Sequence, residues 1–192
     1  MFDKICSMRK KCNPINLEKT LLLAIEIARE GREGKKIGTL FVVGDEENVL
    51  ARSRNMILDP LYGHPNNVKR IDDPDMRETI KELAQLDGAF IVSADGVVLS
   101  ACRHINSSAQ GIELPLGLGS RHVAAASISK ETEAVSLVVS ESSVVRIFAD
   151  GKLVTEIIPE LFLLDKVSVH LKEPYMEEKV MDLKVLTKEN EL

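Results

Sequence analysis

Leu86-Asp87-Gly88-Ala89-Phe90-Ile91-Val92-Ser93, the turn Ala94-Asp95-Gly96 and the return Val97-Val98-Leu99-Ser100-Ala101-Cys102 lead, after a loop, to Leu118-Gly119-Ser120-Arg121-His122. The first two apolar runs around Asp95-Gly96 predict a hairpin, since Asp-Gly between β-rich runs favours a tight reversal. Asp87-Gly88 is different. It stands before a strand and has no strand on its near side to turn back from. The Gly-Ser-Arg-His segment opens an alanine-rich run, Ala124-Ala125-Ala126, that predicts a helix packed closely on a sheet, with Ser120 as its cap. An acidic turn at a strand mouth and a basic turn at a helix mouth suit a phosphorylated ligand. The carboxylate can hold a divalent cation or take a proton, while N–H groups, a hydroxyl, a guanidinium and an imidazole can hold an anion.

Working outward, Leu17, Leu21, Ala24, Ile25 and Ala28 form one helical stripe, with Asn16 as the expected cap and Gly31 at the end. Met1 to Asn13 reads as a frayed lead-in. Thr39-Leu40-Phe41-Val42-Val43 predicts a buried strand, Asp45 to Asn48 a turn, and Val49 to Ala51 a short return pairing. Residues 57–67 form an irregular loop that either covers a pocket or simply connects. Asp73-Pro74 opens a helix with Met76, Ile80, Leu83 and Ala84 on one face. Ala134 to Val139, Val144 to Phe148 and Leu153 to Ile158 predict three more strands. From Pro159 the chain has one apolar cluster, Leu161-Phe162-Leu163-Leu164, which docks on the domain or on a second copy; the sequence does not choose. This order of elements fits an α/β (α+β) fold, a central mixed β-sheet flanked by helices.

At 192 residues and a formal charge of -5, the chain suits one compact domain and lacks the broad basic surface that non-specific nucleic-acid binding needs. With no Trp and 4% aromatics it has no base-stacking platform. No apolar run reaches the roughly 18 residues of a membrane span, and the first residues do not pattern as a signal peptide, so a cytoplasmic protein is expected. Cys6, Cys12 and Cys102 have no metal-site spacing and read as reduced structural thiols; His64 reads as a surface residue and Lys35 and Lys36 as solvated. There is no Gly-x4-Gly-Lys-Ser/Thr loop, no Gly-x-Gly-x-x-Gly after the first strand and no Gly-x-Ser-x-Gly elbow, which removes ordinary P-loop enzymes, dinucleotide oxidoreductases and serine hydrolases. A Ser-His-acid triad of Ser120, His122 and Asp87 is disfavoured, because near-adjacent helical positions point apart.

Asp87-Gly88-Ala89, the hairpin ending in Ala101-Cys102, Leu118-Gly119-Ser120-Arg121-His122-x-Ala124-Ala125 and Val138-Val139-Ser140-Glu141 resemble, in order and spacing, the diadenylate cyclase (DAC, DisA N-terminal) domain. The resemblance covers roughly Gly38 to Gly151. It implies condensation of two ATP into cyclic di-AMP with release of two pyrophosphates, dependence on Mn2+ or Mg2+, and self-association of two domains face to face. On this pattern Asp87 is the catalytic aspartate and a metal ligand; Gly88 and Ala89 line the nucleotide; and Ile105 lies against adenine. Ser120, Arg121, His122 and Ser140 hold the phosphates, and Glu141 is a second metal ligand. Residues 37–158 would then be the nucleotide-binding domain, 1–36 a lead-in and helix packing on it, and 159–192 the tail. The family commonly reads Arg-His-Arg, whereas this chain has Val123 in the third place, so one phosphate or partner-site contact is either lost or supplied by another residue, Arg103 or Arg146. Two other readings stand beside the cyclase: a sensor that binds ATP or cyclic di-AMP with little turnover, and an interaction domain whose tail docks on a partner.

Overall fold

The computed structural model describes residues 2–7, 9, 11–108, 110–159, 175–180 and 183–188. It divides into a unit from Met1 to Pro159 and a second from Glu160 to Leu192.

In the first unit, α1 (Phe2–Ser7) and α2 (Pro14–Glu30) precede β1 (Thr39–Val43), α3 (Glu46–Ala51), β2 (Ser53–Asn55) and α4 (Pro74–Leu83). Then come β3 (Ala89–Val92), β4 (Val98–Ile105), α5 (Ser120–Glu131), β5 (Val135–Val139), β6 (Val145–Ala149) and β7 (Lys152–Ile157). The seven strands form one sheet in the order β2-β4-β3-β1-β5-β6-β7. Only β1 and β3 run parallel; every other pairing is antiparallel.

β1 lies at the centre because four of its five residues are apolar and can be covered on both faces; all five, Thr39 included, are buried. Side chains alternate across a strand, so Leu40 and Val42 face α5 in a cluster with Ala125, Ala126, Ile128 and Val138, while Phe41 and Val43 face the other way. On that second side α2 packs against β5, β1 and β6. Phe41 stacks on its register partner Phe90, ring centroids 5.0 Å apart. Burying such a ring contributes about 2–3 kcal/mol, and Phe41→Ala would cost about 3–5 kcal/mol through the cavity it leaves. The alanines of α5 are what let its axis approach the sheet.

Several local expectations differ from the structure. α2 begins at Pro14, not Leu17: Asn13 is the cap and accepts from the N–H groups of Ile15 (2.9 Å) and Asn16 (3.4 Å). Pro at the first helical position sets that start. Asn16, freed from capping, donates to the Ala94 carbonyl at 2.7 Å. The lead-in forms a helix, α1, and Cys6 and Cys12 close a disulfide with Cα atoms 5.1 Å apart, so of the three cysteines only Cys102 is free. The segment after β1 does not pair back on it. Asp45 takes a left-handed conformation (φ 44°) and starts α3, and the strand that follows, β2, joins the far edge beside β4. Ser120 is likewise not a cap: Gly119 holds that position and no side-chain cap bond forms.

The second unit contains a two-stranded antiparallel hairpin of β8 (Tyr175–Val180) and β9 (Leu183–Lys188). The apolar cluster at 161–164 lies outside the described residues. Among the described residues no helix is long and apolar enough to cross a membrane.

Candidate active site

Topology alone gathers the flagged residues. Because β3 runs parallel to β1 with Ala89 opposite Leu40, Asp87 and Gly88 arrive beside Gly38, the residue before β1. Because β5 runs antiparallel to β1 with Val139 opposite Thr39, Ser140 and Glu141 leave the sheet on the other side of Gly38. The start of α5 sits above this point. The cleft therefore opens at the amino ends of the one parallel pair and not at the carboxyl ends, where ligands of open parallel sheets usually bind. The antiparallel strands β4 and β5 supply the carboxyl ends here.

Arg121 crosses the cleft. Its guanidinium lies 3.7 Å from Asp87 and 3.5 Å from Glu141, which are 77% and 72% exposed. Exposed pairs of this kind contribute about 0–1 kcal/mol, so the three charges are held close without being locked together. Either carboxylate can exchange the guanidinium for a cation at little cost. Asp87 is also turned back on its own backbone, accepting from the Gly88 N–H at 2.9 Å.

Two adjoining cavities share Ser120 and Arg121. One, of about 220 Å³, takes in Asp87, Gly88, Ala89 and Ile105 together with Leu40, Met56, Arg103, His104, Ser107 and Ala124. The other, of about 270 Å³, takes in His122, Ser140 and Glu141 with Gly117, Gly119, Val138 and Val139. All nine residues flagged in the sequence thus lie on one continuous cleft. The first half has aliphatic walls suited to a flat apolar ring, the second has hydroxyls, backbone and charge suited to an anion.

Gly88 has φ +105°, and a Cβ there would sit 2.5 Å from the Cys102 carbonyl carbon and 2.6 Å from the Arg103 nitrogen. The β3–β4 register shifts at this place, where Cys102 itself has φ 53°. The bulge turns Arg103 inward. Arg103 donates to Ser53 Oγ at 2.8 Å, to Asn55 Oδ1, and at 3.3 Å to the carbonyls of Leu50 and Ser53. Burial works against its charge, partly offset by Asp59. The Cys102 thiol is pushed up by burial and then by Asp59 and Asp87, which makes it a poor nucleophile.

Leu40, Met56, Ser107 and His104 had no role in the sequence reading, and Arg103 entered it only as a candidate substitute for the arginine missing at Val123. Leu40 reads there as core, and Met56 belongs to a segment whose pairing with β4 is invisible in the sequence. The loop at 57–67 is tied down by Asp59, which accepts from Ser100 Oγ at 2.6 Å and the Ala101 N–H at 3.1 Å; only Met56, at its edge, reaches the cleft.

Among the described residues no three His, Cys, Asp or Glu side chains cluster as a complete metal cage. Asp87 and Glu141 are instead two hard oxygen donors, one on each of the two adjoining cavities, either side of Arg121. That donor set fits a small divalent cation of the Mg2+ or Mn2+ kind, which usually takes one or two carboxylates and completes its shell with phosphate and water.

Fold and site together define a mixed-sheet α/β domain with one acid-and-guanidinium cleft between a strand mouth and a helix mouth. The model of the DisA bacterial checkpoint controller nucleotide-binding (DAC) family matches residues 26–153, and the chain belongs to that family. It is 47% identical over 165 residues to a diadenylate cyclase of Methanocaldococcus jannaschii, a match covering 85% of this chain and 51% of that protein. It is 39% identical over 141 residues to a diadenylate cyclase of Haloferax volcanii, covering 73% of this chain and 51% of that one. The chain therefore spans about half the length of these curated relatives. Two solved structures share the fold at 22% identity. The structure of a hypothetical membrane spanning protein from Bacillus cereus has a TM-score of 0.53, over 71% of this chain and 61% of that one. A double mutant of DacA from Staphylococcus aureus has a TM-score of 0.51, over 78% and 93%.

Proposed function

We propose that this chain is a diadenylate cyclase that condenses two ATP into cyclic di-AMP. In each half-reaction a ribose 3'-oxygen attacks the α-phosphorus of the other ATP. The new P–O ester forms, the bond from the α-phosphorus to the bridging oxygen breaks, and pyrophosphate leaves; two such events close the ring. The observation that carries this reading is Arg121 standing between Asp87 and Glu141 at the junction of an aliphatic cavity and a polar one. Membership of the family and the names of the relatives support it.

In this reading Ile105, Leu40 and Met56 hold the adenine, with Gly88 and Ala89 against the nucleoside. Asp87 faces the 3'-hydroxyl and accepts its proton. Ser120, Arg121, His122 and Ser140 hold the triphosphate, and the donors fixed at the start of α5 meet charge that develops on the leaving pyrophosphate. Mg2+ or Mn2+ held by Asp87 and Glu141 would neutralise triphosphate charge. One domain offers a single set of these groups, so the second hydroxyl comes from a facing copy and a lone monomer binds ATP without closing the ring. Residues 37–158 would suffice for the nucleotide, and the reaction would take place in the cytoplasm, where ATP is.

The test is incubation with ATP and Mn2+ or Mg2+ over a range of protein concentrations, with products identified by mass spectrometry. Cyclic di-AMP is expected; none at any concentration overturns the proposal. Val123, in place of the family's second arginine, favours one other reading, a nucleotide sensor, for which tight ATP binding without product would be the signature.

A further inference from the structure

His122 is the third residue of α5, buried, with its ring edge-on to Phe148 at 6.1 Å between centroids. Its Nε2 lies 3.3 Å from Nη1 of Arg146 on β6. A guanidinium can only donate, so Nε2 must present its lone pair and the ring proton must sit on Nδ1. Nδ1 is sealed from water and has no well-aligned hydrogen bond; the Gly119 carbonyl is the backbone group that acts on the ring. Arg146 is itself fixed. Its Nε donates to Glu156 Oε1 at 2.6 Å, across the β6–β7 pair in which the two residues face one another, and its side chain is 15% exposed.

We infer that Arg146, braced by Glu156, is a positioning residue of the anion half of the cleft: it fixes His122 as an imidazole with its proton on Nδ1. The charged groups around the ring are Arg146 from β6, Glu156 from β7 and Arg121 from its own helix; β5, on which α5 also packs, carries none. Burial comes first, then Arg146, in holding His122 below the usual imidazole range, with the Gly119 carbonyl opposing, Arg121 adding and Glu156 opposing again. The second cavity is therefore lined by a ring that adds shape but no charge at neutral pH. Its affinity for an anion should not follow the titration of that ring. Arg103, which also lines the cleft, is already spent on five acceptors around β2 and β4 and does not reach His122.

The test is nitrogen NMR of the imidazoles in the full chain, which has 4 His, with the His122 signal assigned by its loss in His122→Gln. The Nδ1–H tautomer is expected from about pH 8 down to about pH 6, through the normal titration range of histidine. A wild-type ring carrying its proton on Nε2, or doubly protonated at neutral pH, overturns the inference, and this reading needs no variant. In Arg146→Met the ring should turn toward the Nε2–H form and its titration should move upward, because a positive neighbour is gone; Arg146→Lys should keep it low by retaining the charge. A folded Arg146→Met with unchanged tautomer and titration overturns the inference.

A second measurement rests on the nucleotide reading: binding of 3'-deoxyATP, which cannot cyclise. Its affinity ratio between about pH 6 and about pH 8 should rise severalfold in Arg146→Met relative to wild type, as the ring gains a proton in acid. Comparing variants cancels the ligand's own titration, and a ratio equal to wild type counts against the inference. A wild type that keeps the tautomer yet does not bind 3'-deoxyATP upholds the assignment of Arg146 and removes the nucleotide reading alone.

Discussion

A Cβ on Gly38 would lie 2.8 Å from Nη1 of Arg121, so the residue before β1 is a notch over which the guanidinium passes. The same Cβ would be 3.3 Å from Cγ of Glu141. Gly38 has no left-handed backbone to forbid a side chain, and the atoms in the way belong to flexible side chains. Gly38→Ala should therefore fold with unchanged or slightly higher stability, up to about 1 kcal/mol from a stiffer unfolded chain. Displacing Arg121 by about 1 Å should still lower cyclic di-AMP formation by about 10- to 100-fold. A thermal melt and a product assay on the same preparation check both halves.

Gly88→Ala should behave in the opposite manner. Here φ is +105° and the clash is with backbone at Cys102 and Arg103, which cannot swing aside. We expect a loss of about 1–3 kcal/mol in urea denaturation, together with loss of activity, from strain of this type. Wild-type stability in this variant would mean that the β3–β4 bulge is not rigid.

Asp87→Asn keeps the size and, because Asp87 is 77% exposed, should leave the melting temperature where it is. The rate of cyclic di-AMP formation should fall by at least about a hundredfold if the carboxylate takes a proton or holds the cation. Full activity would remove Asp87 from the chemistry, and a rate restored by raising Mn2+ would assign it to the cation alone.

Asp45 is buried at the end of β1 and accepts from Lys11 Nζ (2.7 Å), Asn48 (2.8 Å) and the Glu133 N–H (2.9 Å). Burial pushes its carboxyl up, but these donors outweigh it and hold it below the usual range. A depressed folded value means that its contribution is present above the unfolded value of about 3.9 and is lost as the pH falls through the folded one. Asp45→Asn, which tolerates the left-handed backbone, should cost about 1–3 kcal/mol near neutrality. The gap between variant and wild type should close below about pH 4. A gap that stays constant down to acid would show that the charge is not what holds residues 11 and 133 there.

If two facing copies make one product, specific activity must climb with protein concentration and saturate. Sedimentation in parallel fixes the association state. A flat specific activity down to dilutions where only monomer is present would rule out the shared site.

The strands of the sheet were legible because their apolar runs have the right length and end in turn residues: Phe41, Phe90, Leu137 and Ile147 all sit inside segments that read as strands. Asp87 could be flagged because no hairpin explains an Asp-Gly before a strand, whereas the Gly119–His122 turn also read as an ordinary capped helix start and drew notice only through its pairing with Asp87. The order of strands was not, since Leu40 could have paired with any apolar run, and only the finished sheet selects Ala89 on one side and Val138 on the other. Asn13 and Asn16 are equally good caps on paper; Pro14 and the Ala94 carbonyl decide between them. The turn at Asp45 became a helix around a buried aspartate in a left-handed conformation that gathers, besides the nearby Asn48, two donors from distant parts of the chain, Lys11 and Glu133, which local propensity cannot see. Gly38 was silent for a related reason: its value lies in what it leaves empty.

The central place of β1 has a consequence for how the molecule is made. Thr39 pairs with Val139, so during synthesis one edge of β1 stays exposed until residue 139 has been made, its neighbour on that side not yet built. A chain stopped after α5 already carries Asp87 and Arg121 but has neither β5 nor Glu141. The cleft is closed only once β5, the fifth of the seven strands, is in place, and nothing that depends on both carboxylates can begin on a chain that stops short of it.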